Sequence, residues 1–162
     1  MSAVLPNVAV KNLLYTNWAI GSPAKDSATE ATSDPERVWF GNRMFAYAPP
    51  RIHSFQITVR GGQASYRPWQ LGGTAKYEVQ EPLTIHVWVL PGVSLDIETA
   101  HTKMKAMYDE IKRILESLGD SAGNGIQELI LNNKRDTSRL DRNPPQLYYQ
   151  IDVTAILYEG IS

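Results

Sequence analysis

Three groups of residues in this sequence have types and spacings that could do chemistry. The first is Gly119-Asp-Ser-Ala-Gly123, which matches G-x-S-x-G. A nucleophile elbow needs a strand before that string and a helix after it, so that a strained turn exposes the serine. Here a helical pattern precedes it and a strand pattern follows, so Ser121 reads as part of a helix stop and turn. The second group is His53, His86 and His101, a conceivable triad or metal set. No carboxylate stands at a ligand spacing such as H-E-x-x-H, and scattered surface histidines are the plainer reading. Asp109 and Glu110 are expected on the solvated side of a helix. Gly61-Gly62 and Gly72-Gly73 lack the strand–G-x-G-x-x-G–helix pattern, so no nucleotide site follows from them. The third group is basic: Lys134, Arg135, Arg139 and Arg142, net +2 after Asp136 and Asp141 are counted. Such a loop could grip an acidic partner or a phosphate.

Composition narrows the classes of function. The chain has 162 residues, the length of one domain, and 43% of them are hydrophobic. Its formal net charge of −1 gives no bulk attraction to nucleic acid or to an anionic membrane. No sequence-specific nucleic-acid partner is expected. The absence of cysteine excludes a disulfide framework, a thiolate zinc site and a cysteine nucleophile. No apolar run approaches the roughly 20 residues that span a bilayer. The opening Met1-Ser-Ala-Val-Leu-Pro lacks the basic and apolar regions of a signal peptide, so none is expected.

The elements that must position these residues follow from periodicity. Asn7 is expected to cap a short helix to Asn17, with Val10, Leu13 and Leu14 inward and Pro6 ahead of the cap. Residues 21–36 carry no large apolar side chain and read as a mobile surface loop. Val38, Trp39 and Phe40 suggest a short strand. Residues 52–59 alternate, with Phe55, Ile57 and Val59 inward and Gln56 and Thr58 outward. Leu83 to Leu90 alternates too, and Trp88 and Leu90 beside His86 imply that its second face is not fully solvated. Residues 65–80 read as a protruding hairpin turned at Gly72-Gly73, with Tyr66, Trp69, Leu71, Tyr77 and Val79 as strand formers. Pro68 there calls for an edge or a bulge. Such exposed aromatics usually mean an interface. Ser94 is expected to cap a long helix to Leu118, with an apolar stripe from Ile97 through Met104, Met107, Ile111 and Leu115 and a left-handed stop at Gly119. Strands at 126–132 and 147–158 close the chain. Together these patterns predict a single two-layer α+β domain over residues 1–162. Its sheet is mostly antiparallel, with one long and one shorter helix on one face.

This order of elements resembles the tail terminator (tail completion) proteins of long-tailed bacteriophages and related neck components. The matching parts are the Leu-Leu…Asn-Trp opening at Leu13–Trp18, the strand Leu83–Leu90 and the helix ending Glu-Ile-Lys-Arg-Ile-Leu. The Arg-containing loop and the closing strand ending Leu-Tyr-Glu complete the match. The resemblance implies a virion protein that forms a ring, typically a hexamer, at the head-proximal end of the tail tube. It implies the tube protein and a neck or head-completion protein as partners. It also implies assembly in the host cytoplasm, with no cofactor and no catalytic residue. Interface residues expected on that reading are Tyr66, Arg67, Trp69, Leu71 and Tyr77 of the extension, and Arg135, Arg139 and Arg142 of the basic loop. A small hydrolase or a ligand-binding module using Ser121 or the histidines is the alternative.

Overall fold

The computed structural model describes residues 5–25, 37–42, 55–71, 74–89, 96–119, 125–141 and 146–160. In chain order the elements are α1 (Pro6–Asn17), β1 (Ala24–Lys25), β2 (Arg37–Gly41), β3 (Phe55–Gly61), β4 (Ser65–Leu71), β5 (Thr74–Val89), α2 (Ile97–Leu118), β6 (Ile126–Asp136) and β7 (Leu147–Gly160). The strands form one sheet in the order β1-β2-β3-β5-β7-β6, with β4 paired to β5. The β1–β2 and β2–β3 pairs are parallel, and every other pair is antiparallel. The fold is the two-layer α+β arrangement expected from the sequence.

The register explains the layering. Phe55 pairs with Val89, Ile57 with Val87, Ile85 with Ile151 and Leu83 with Val153, so one face of three adjacent strands is wholly apolar. All eight of these side chains are buried. Val10, Leu13 and Leu14 of α1 and Met104, Met107, Ile111 and Leu115 of α2 complete the same cluster. Both helices therefore cover this inner face. Helix α2 carries its apolar residues at steps of three and four, which lays one stripe on the sheet.

Local signals place the helix ends slightly differently from the sequence reading. Pro6 is the first residue of α1 rather than a residue ahead of its cap, a position its fixed φ and missing N–H suit. Asp96 caps α2, its carboxylate accepting from Thr99 N at 2.7 Å; Ser94 lies outside the described residues. Ile97, at 40% exposure, is not part of the buried stripe. Gly119 is right-handed (φ −60°), so it does not make a left-handed stop. A Cβ there would crowd Leu129 at 3.3 Å, and close packing is its role. The left-handed glycine is Gly125, at φ +82°, which turns the chain into β6.

The hairpin of residues 65–80 is not a separate two-stranded projection. Its second strand is the first half of β5, which runs unbroken for 16 residues, and β7 pairs alongside it as far as Gly160. The extension is thus three strands wide at its tip, and β6 joins it at its base, where Ile126 pairs with Leu157. Strand β3 pairs with residues 83–89 of β5, and β4 pairs with residues 74–80 on the same side. The two lie end to end, joined at Gly61-Gly62. Pro82, a poor residue for a central strand, falls at that gap. Its carbonyl accepts from Gly62 N at 2.8 Å, so its missing N–H costs no ladder bond to either strand. A Cβ on Gly62 would meet that carbonyl oxygen at 2.9 Å, which fixes glycine there. Pro68 sits on β4, paired only with β5 among the described residues, as its edge requirement demands.

Two further expectations change. The segment 21–36 is not loose at its start. Ala24–Lys25 pairs with β2, and the buried Trp18 donates from Nε1 to Pro23 O at 2.9 Å; residues 26–36 lie outside the described part. Glu110 is not on a solvated face. It is buried, accepting at Oε2 from Ala19 N (2.8 Å) and Ile20 N (2.9 Å) and at Oε1 from Arg113 Nε. Arg113 also donates to Asn17 O at 2.9 Å, so one acid–base pair holds the end of α1 on α2. Burial opposes ionisation of Glu110, but Arg113 and the two backbone N–H groups outweigh it and keep the carboxyl below its ordinary range.

Replacing Ile111 by Ala should cost roughly 2–5 kcal/mol in a urea titration, because the site is fully buried. A loss under half a kcal/mol would contradict the packing. Glu110→Ala should cost about 2–4 kcal/mol by the same measurement, since two N–H groups lose their acceptor. Glu110→Gln, which keeps one oxygen, should cost clearly less.

Candidate functional site

The outer face of the sheet, opposite the helices, carries the chemistry-bearing residues. Its rows follow from the register: Gln56 beside Trp88 beside Tyr148, and Thr58 beside His86 beside Gln150. Trp88 and Tyr148 stack with ring centroids 4.1 Å apart, and Tyr148 lies parallel to His86 at 5.5 Å. The Tyr148 hydroxyl and His86 Nδ1 share a hydrogen bond. Gln56, Thr58 and His86 are buried, so this face is closed over in its middle, as Trp88 beside His86 implied. Thr58 Oγ1 has no hydrogen-bond partner among the described residues.

His86 is held neutral. Burial lowers its pKa to about 4, the Arg60 and Arg135 cations push the same way, and Asp152 opposes them only partly. An imidazole buried this way orients Tyr148 and, through the stack, Trp88. His101 is on α2, on the other side of the sheet, and His53 lies outside the described residues, so the structure does not assemble the histidine set. No cluster of His, Asp or Glu able to hold a metal occurs among the described residues. Ser121 lies outside them as well.

Lys134 and Arg135 prove to lie in a strand and Arg139 in a bridge rather than in an open loop. Strand β6 continues to Asp136, and the hairpin narrows at an isolated Arg139–Gln146 bridge, with Arg139 N donating to Gln146 O at 2.7 Å. Two register shifts in β6, after Ile126 and after Leu131, break its alternation. The first lets Ile126 and Leu129, three apart, both reach the core. The second turns Lys134 inward opposite Ile151 and Arg135 outward opposite Gln150. Lys134 then lies 4.4 Å from the ring centres of both Tyr108 and Tyr149, occupied by its own chain. Arg135 pairs with Asp152 at 3.2 Å, half exposed. Arg139 borders a cavity of about 270 Å³ together with Trp88, Thr137, Gln146 and Tyr148. Arg142 lies outside the described residues.

At the far end of the sheet, Tyr66 is 60% exposed and Arg67 is exposed. Tyr66 meets Tyr77 edge-on at 6.2 Å. Trp69 and Leu71 have their backbone in β4, paired with Lys76 and Thr74; their side chains lie outside the described part. Tyr66 pairs with Val79, and Val79 with Leu157, whereas Arg139 pairs with Gln146. Leu157 lies eleven residue steps along the chain from Gln146, about 35 Å at ~3.3 Å per residue. The structure therefore puts the two predicted contact segments at opposite ends of one sheet.

The cavity is the part that sequence reading missed. Its signal was present: Trp88 and Tyr148 are aromatics at positions that the alternation assigns to the polar face. Nothing in the pattern joined them to Thr137, Arg139 and Gln146. No helix among the described residues is long and apolar enough to cross a membrane. Neither the protein-family models nor the curated proteins contain a match to this chain.

A histidine whose folded pKa lies below its unfolded value of 6.5 binds fewer protons when folded. Its contribution is complete above pH 6.5 and declines as the pH falls toward 4, the unfolded chain taking the proton first. Thermal or urea titrations from pH 7 to pH 4 should show a loss of about 2 kcal/mol from this group, after allowance for solvent screening. His86→Gln should flatten that part of the profile; an unchanged profile would place the titration elsewhere.

Proposed function

We propose that this chain is a structural virion protein, a phage tail terminator. Copies of it close into a ring, a hexamer on the resemblance in its sequence, at the head-proximal end of the tail tube. There it stops tube polymerisation and presents a surface to a neck or head-completion protein. It acts by contact rather than by catalysis and uses no cofactor. One observation carries this reading: the exposed aromatic extension and the arginine-bearing hairpin end lie at opposite ends of a single sheet. A ring of identical subunits requires two different surfaces facing away from each other, one for each neighbour. A binding module that used one site would need only one. The order of elements, with a long helix before a final strand pair, supports the same assignment. So does the open edge of β6, whose exposed Gln127, Glu128 and Asn132 are polar.

Light scattering on the eluting protein and negative-stain images of it with tail tubes test the proposal. Rings, or tube ends capped by the protein, are expected. A wild-type chain that stays monomeric and never caps tubes would overturn it. Replacing Arg135, Arg139 and Arg142 together by Ala should weaken docking or ring closure roughly tenfold, about 1–2 kcal/mol for three exposed charges. The monomer's melting temperature should change little.

A further inference from the structure

The two ends of the sheet differ in shape as well as position. One end offers a knob. Tyr66 stands on the helix-side face, since it pairs with Val79, whose side chain is in the apolar row. Helices α1 and α2 leave it uncovered, and Tyr77 braces it edge-on. Glu81, two residues from Val79 on the same face, adds a half-exposed carboxylate at the base of the extension, by Gly61. The other end offers a socket. Its walls are the Trp88 and Tyr148 rings, its rim is Thr137, Arg139 and Gln146, and its volume is about 270 Å³, room for a tyrosine side chain. The socket is held open by its own hydrogen bonds: Thr137 N donates to Tyr148 O at 2.9 Å and Tyr148 N to Ser138 Oγ at 3.0 Å. Both parts are thus preorganised, which lowers the ordering cost of contact.

Knob and socket lie on opposite faces of the sheet, at ends about 35 Å apart at ~3.3 Å per residue. They cannot meet within one chain. Two copies can join them in a lap joint: the helix-side face of one extension lies over the outer face of the next subunit at its hairpin end. The acidic Glu81 then approaches the basic Arg139 rim. We infer that the Trp88–Tyr148–Arg139 socket receives Tyr66 of a second copy of this chain. This contact rests on the ring reading above and specifies it, because knob-to-socket joining is heterologous and repeats from copy to copy. An aromatic anchor seated in a pocket with an arginine at its rim has the composition of a binding hot spot. Thr137 and Gln146 supply polar groups within the socket for the phenol hydroxyl.

The chain has no cysteine of its own, which makes the test direct. Ser65→Cys places a thiol beside the knob, and Leu140→Cys places one beside the socket on a turn that is 53% exposed. Mixed in equal amounts and treated with a short bis-maleimide, the two variants should give cross-linked dimers. Either variant alone should give far fewer. Adding Tyr66→Ala to the Ser65→Cys chain should cut the yield at least fivefold while leaving the circular dichroism melt unchanged. Light scattering is run on the same samples. Oligomers that form without the mixed cross-link, or that tolerate Tyr66→Ala, would overturn this contact and leave the ring standing. A chain that is monomeric at every concentration and gives no cross-link would remove both.

Discussion

Fourteen consecutive residue pairs, from Lys76 with Gly160 to Val89 with Leu147, tie β5 to β7. The rest of the molecule is arranged on that ladder. Its register places Ile85 against Ile151 and Val87 against Tyr149 on one side, and His86 against Gln150 and Trp88 against Tyr148 on the other. A slip of one residue would exchange the two sides and put His86 and Trp88 under the helices. The apolar row is unbroken on β7 from Leu147 to Ala155, and this register buries all five of its side chains. The length of the ladder matters as much as its register. Helices α1 and α2 cover only part of it, and the remainder becomes the extension. One strand pair thus defines the core at its middle, a knob at one end and a socket at the other.

Much of this was legible in the sequence because it is periodic. The alternation of Phe55, Ile57 and Val59, the row from Leu147 to Leu157 and the stripe of α2 each predicted the buried set. What was not legible is what breaks periodicity or acts between distant residues. The bulges of β6 are invisible in its pattern, and they decide that Arg135 rather than Lys134 faces outward. Glu110 stands among polar neighbours on a helix and looks solvated. Its burial comes from Ala19 and Ile20, some ninety residues earlier, whose N–H groups follow the last turn of α1. The reading of residues 65–80 as a protruding hairpin implied an interruption between hairpin and sheet. The chain instead places the interruption on the neighbouring side, between β3 and β4, and β5 continues through.

The candidate site was half readable. The exposed aromatic character of Tyr66 and the cationic cluster Lys134, Arg135, Arg139 and Arg142 came from composition and spacing, and Arg67 from the resemblance. The roles inside that cluster did not. Lys134 is spent between two tyrosine rings and Arg135 is paired with Asp152, which leaves Arg139 as the cation at the socket. Composition counts charges; tertiary structure assigns them partners, and only the remainder is available to a neighbour.

The outer face shows how a polar interior can serve a contact surface. A tyrosine at a strand end has two rotatable side-chain bonds and no reason to hold one position. Here His86, buried and neutral, hydrogen-bonds its hydroxyl, and Trp88 lies flat against its ring. Were His86 ionised, a buried cation would face Arg60 and Arg135 without adequate compensation from Asp152. The burial that keeps the imidazole neutral also removes it from solvent, so its effect outside the protein is transmitted through Tyr148 and Trp88. Rigidity built this way costs some acid stability, and in return the sheet presents one fixed surface to whatever docks on it.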